Sequence, residues 1–61
     1  MNKFYCLQLG GLARGRLLPW WGEAANVREA IIAAEADNPG LKVSYGTEVT
    51  EAQYTERDVY A

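Results

Sequence analysis

The 61-residue chain has no histidine and one cysteine, and Ser44 is its only serine. Without histidine, the commonest general base and metal ligand at neutral pH is missing. Cys6 cannot form an internal disulfide, and with no imidazole to activate it a cysteine hydrolase is not expected. One cysteine and no histidine also exclude a structural zinc site within one chain. Ser44 has no partner base. No catalytic residue, metal or cofactor is therefore expected, and the chain reads as a non-enzyme. No apolar run approaches the ~18 residues of a membrane span. The opening "MNKFYCLQLGG" has one lysine and an apolar stretch of about six residues, short of the roughly 7–15 of a secretory segment. The expectation is a cytoplasmic protein with no membrane contact, and a single thiol fits a reducing compartment.

The hydrophobic fraction is 49%, that of a globular domain, and the length gives one small domain over 1–61. Net charge is −2, unevenly distributed. Residues 1–22 carry Lys3, Arg14 and Arg16 and no acid. Residues 23–38 carry Glu23, Glu29, Glu35 and Asp37 against Arg28 alone, and residues 44–61 carry Glu48, Glu51, Glu56 and Asp58 against Arg57 alone. One basic and one acidic surface are implied.

"KFYCLQL" at 3–9 predicts a strand, with Tyr5, Leu7 and Leu9 on one side and Phe4, Cys6 and Gln8 on the other. "GGLARG" predicts a hairpin loop. "RLLPWWG" at 16–22 resumes a strand, which Pro19 confines to a sheet edge or a bulge. Asn26 and Glu29 in "NVRE" are a capping-box variant opening a helix over 27–37, and "NPG" closes it. Val27, Ala30, Ile31 and Ala34 share its inward stripe, with Ile32 at the margin or exposed. "LKVSYGTEV" at 41–49 alternates, with Leu41, Val43, Tyr45, Thr47 and Val49 facing one way. "TEAQ" at 50–53 is a second capping box; the tail after it is a short helical turn or a strand. The fold class expected is α+β: a small β-β-α-β domain, an antiparallel-rich sheet with one helix packed on one face.

Such a sheet leaves its second face open. Consecutive strand residues point to opposite faces, so the neighbouring tryptophans part. Trp20 shares parity with Leu18 and Gly22 and faces the helix; Trp21 looks out on the open face. It serves there as a partner contact, or as a lid on the sheet edge or a dimer contact.

"GGLARGR" spaces its glycines as a P-loop does, but Arg16 and Leu17 stand where Lys and Ser/Thr belong, and a strand follows instead of a helix. It reads as a hairpin loop. Two arginines beside a net-acidic remainder are a poor footprint for nucleic acid. The acids are more suggestive. Glu29, Glu35 and Asp37 leave the helix on its outer sides, and Glu48, Glu51, Glu56 and Asp58 cluster near the C-terminus. Such carboxylates are an ordinary solvated surface, or they imitate DNA phosphates and occupy a basic groove.

Over "WGEAANVREAIIAAEADNPGLKV", residues 21–43, the chain resembles small phage or mobile-element proteins, the anti-CRISPR inhibitors of type I systems. The resemblance is architectural: a glycine-turned hairpin, an Ala-rich helix closed by "NPG", then a strand, in a tiny, acidic, His-poor chain. It implies an inhibitor that binds a Cas effector protein of the Cascade complex and blocks access of target DNA. It would act as a monomer or weak homodimer, without binding nucleic acid directly. The partner-binding residues expected are Trp21, Glu29, Glu35, Asp37, Glu48, Glu51, Glu56 and Asp58. The alternatives are a small nucleic-acid-binding or regulatory module using Lys3, Arg14 and Arg16, and a self-associating structural phage protein.

Overall fold

A computed structural model describes residues 2–60; Met1 and Ala61, the ends of the expected 1–61 domain, lie outside it. The elements run β1 (Lys3–Gly10), β2 (Leu18–Ala24), α1 (Val27–Asp37), β3 (Lys42–Val49), α2 (Glu51–Thr55) and α3 (Arg57–Tyr60), with a 3-10 turn at Ala13–Gly15 in the hairpin loop. The sheet is antiparallel in the order β2-β1-β3. This is the α+β, β-β-α-β layout expected, with β2 on an edge of the sheet as Pro19 requires.

β1 occupies the centre because both its faces are apolar enough to be covered. Tyr5, Leu7 and Leu9 are buried under α1, and with Ala30 and Ala34 they form the core. Trp20, Ala24, Ile31, Leu41 and Val43 pack around it, half-buried. The alanines let the helix lie close to the sheet, and two glycines on the flanking strands do the same for large side chains. A Cβ at Gly22 would collide with the Trp20 ring, and one at Gly46 with Leu7 and the Cys6 carbonyl. Trp20 therefore lies flat over β2 at the margin of the core, facing the helix as its parity predicted.

α1 starts and stops where its caps dictate. The Asn26 side chain accepts from the Glu29 backbone N–H at 2.9 Å. At the far end Asn38 donates from its side chain to the Ala34 carbonyl at 2.9 Å, and Pro39 with Gly40 (φ +92°) turns the chain into β3. Val27, expected on the inward stripe, is 50% exposed. The first turn leaves β2 at the sheet's rim, so the buried stripe begins only at Ala30.

Two other expectations change. β2 covers 18–24 instead of 16–22, because Glu23 and Ala24 continue the pairing to Phe4 and Lys3. In β3, Tyr45, Thr47 and Val49 do not share a face with Leu41 and Val43. Gln8 pairs with Tyr45 but Leu9 pairs with Val43, so Ser44 is an extra residue in a β-bulge. The bulge flips the parity. Val43 stays beneath the helix while Tyr45, Thr47 and Val49 pass to the open face with Gln8, Cys6 and Phe4.

The tail is helical. Thr50 accepts from the Gln53 N–H at 3.1 Å and Gln53 accepts from the Thr50 N–H at 2.9 Å, a complete capping box. It aims α2 across the near end of the open face. There Tyr54 lies 4.8 Å from the Phe4 ring, and Arg57 sits 4.6 Å above the Tyr54 ring.

Candidate functional site: a segregated acidic pole

The register gathers acids that are scattered in sequence. Glu23 pairs with Phe4, and Glu48 with Tyr5, at the beginning of β1. Glu29 lies in the first turn of α1, which begins just past Ala24, the partner of Lys3. Glu51 opens α2, and Glu56 and Asp58 follow it beyond Tyr54, the ring seated on Phe4. One end of the molecule thus holds Glu23, Glu29, Glu48, Glu51, Glu56 and Asp58, all exposed. Against them stand Arg28, Lys3 and Arg57. Lys3 approaches Glu48 at 3.7 Å, both more than half exposed, so that pair contributes little. The Arg57 guanidinium is occupied with Tyr54, donating to its carbonyl at 2.9 Å. Glu29, Glu51 and Asp58 also sit in the first turns of their helices, where the helix dipole favours negative charge.

Glu35 and Asp37, expected among the partner contacts, lie at the opposite end, Glu35 half-buried and Asp37 exposed, and both bond to the sheet. Glu35 accepts from the Val43 backbone N–H at 3.0 Å and lies 3.7 Å from the Lys42 ammonium. It satisfies an edge-strand donor beside the bulge. Asp37 accepts from the Trp20 indole N–H at 3.1 Å. Together they tie the last turn of α1 to both edge strands, a structural task. Trp21 lies on the open face across from Cys6 and is half-buried.

Cys6 lies between Trp21 and Thr47, with the Gln8 amide donating to its sulfur at 3.9 Å. Burial pushes its thiol up from the ordinary value. At neutral pH it is a protonated, weakly nucleophilic group, the reverse of an activated cysteine. Among the described residues no three His, Cys, Asp or Glu side chains converge as metal ligands. Also among them, no helix is long and apolar enough to cross a membrane.

Sequence reasoning left out Glu23 and Tyr45. Glu23 joins the pole only because β2 continues to Ala24, and the signal was present in the unbroken run "WWGEA". Tyr45 is 62% exposed on the open face, and no sequence signal announces the bulge that puts it there. Comparison with family models, curated proteins and solved structures returned no match.

Proposed function

We propose that the chain is a non-enzymatic inhibitor that works by binding, with the acidic pole as its contact surface. The observation that carries this reading is the convergence of six exposed carboxylates, from β2, α1, β3 and the α2–α3 tail, onto one end of a small sheet. Fixed carboxylates spaced over such a surface suit a groove lined by Lys and Arg, where oppositely charged pairs steer encounter and fix register. The partner class is a nucleic-acid-handling protein, and the resemblance over residues 21–43 makes it the Cascade effector of a type I CRISPR system. In this reading the chain occupies the path of target DNA.

The raised thiol of Cys6 and the solvent-facing carboxylates of the pole support a binding role over a chemical one. The test is competition. Purified type I effector is incubated with the chain and then offered labelled target duplex. Loss of the DNA complex in proportion to added protein is the expected result. Unimpaired DNA binding at saturating protein would reject the effector as partner.

A further inference from the structure

The half of the open sheet face that α2 leaves uncovered has the opposite chemistry to the acidic pole. Leu17, Pro19 and Tyr45 are exposed there. Gly10 lies between the flanking strands there, and a Cβ on it would sit in ordinary contact with Leu17 and Ser44. The hairpin tip adds exposed Leu12. Arg14 and Arg16 border this surface, since the loop follows Gly10 directly; the Lys42 ammonium instead lies 3.7 Å from Glu35. Among the described residues the acids at this end are Glu35 and Asp37, which accept from the Val43 N–H and the Trp20 indole on the helix side. Arg14 holds a left-handed backbone, φ +64°. A side-chain-bearing residue rarely adopts it, and here it keeps a cation at the turn of the loop.

We propose that this surface is a second docking site, and that it takes an acidic protein segment carrying apolar side chains. Leu17, Pro19 and Tyr45 would receive the apolar groups while Arg14 and Arg16 meet the carboxylates. Tyrosine and arginine are the residue types that interfaces favour. Single-stranded nucleic acid fits less well. Tyr45 offers one stacking platform, the leucines read no base, and two arginines release few counterions. An anionic bilayer fits less well too, because two arginines are short of the polybasic cluster such a surface holds. The site is independent of the acidic pole, lying at the other end of β1.

The experiment titrates the isotope-labelled chain with a synthetic peptide alternating glutamate and leucine, read by amide chemical shifts and by fluorescence anisotropy. Saturable binding is expected, with shifts concentrated at residues 12–19 and 42–45. Arg14→Glu with Arg16→Glu should weaken it by about tenfold or more without altering the remaining spectrum, since both side chains are exposed. Absence of binding, shifts centred on α2 and α3, or indifference to the charge reversal would overturn the proposal. So would tighter binding of an oligothymidine or of phosphatidylserine vesicles than of the peptide.

Discussion

Gly46 and Gly10 show how one methyl group separates packing from mere presence in a strand. Both are strand glycines with ordinary backbone angles, so alanine is conformationally acceptable at either. At Gly46 the added methyl meets Leu7 at the heart of the core and a carbonyl of the central strand; at Gly10 the nearest atoms lie 3.8 Å or more away. Gly46→Ala should therefore cost roughly 1–3 kcal/mol through overpacking. Gly10→Ala should be neutral or slightly stabilising, because alanine loses less chain entropy on folding. Urea denaturation of the two variants measures the difference. Equal effects would mean that Leu7 does not lean over β3. The paired tryptophans divide by the same local geometry. Alternation alone sends Trp20 to the helix and Trp21 to the open face, which is why that split was legible in the sequence. That Trp20 reaches Asp37 was not legible, because the contact spans seventeen residues and depends on where the helix ends.

Elements with caps are the ones the sequence announces most clearly. Asn26, Glu29 and "NPG" are local signals, and α1 occupies the eleven residues between them. Thr50 and Gln53 are equally local, and they decide the tail in favour of helix. Thr50→Ala should remove one side of the box at a cost of about 1 kcal/mol. It should also raise hydrogen exchange through 51–58 more than through β1. Uniform acceleration everywhere would show that α2 has no stability of its own to lose. The bulge is the contrary case. "LKVSYGTEV" reads as unbroken alternation, and only pairing with β1 reveals that Ser44 is extra. Deleting Ser44 would leave Tyr45 opposite Gln8 and Val43 opposite Leu9 in regular pairing, each side chain on its present face. The deletion should therefore be tolerated, at a cost of no more than roughly 1 kcal/mol, read as a nearly unchanged midpoint in a thermal melt. A loss of several kcal/mol would mean that Ser44 is not a dispensable bulge residue.

Across the whole molecule, charge follows the sheet and not the sequence. The blocks of acid at 23–38 and 44–61 predicted an acidic surface, but they did not predict its membership. Strand pairing brings Glu23 and Glu48 to the end where α2 begins, and helix length carries Glu35 and Asp37 to the other, where they hold strands in place. The acidic pole and the cationic, leucine-bearing tip consequently stand at opposite ends of β1. This arrangement separates binding from stability, and mutation can test each alone. Glu35→Lys should lower the melting temperature, since it leaves an edge-strand donor facing a cation. Glu51→Lys with Glu56→Lys should leave the fold intact, because both side chains are exposed and far from the core. The measurement that bears most directly on the proposed role is the target-DNA competition repeated with this double reversal, beside its thermal melt. The account predicts that DNA binding by the effector returns at protein concentrations where the parent chain abolishes it, while the melting temperature stays nearly unchanged. Undiminished inhibition by the doubly reversed chain would contradict it.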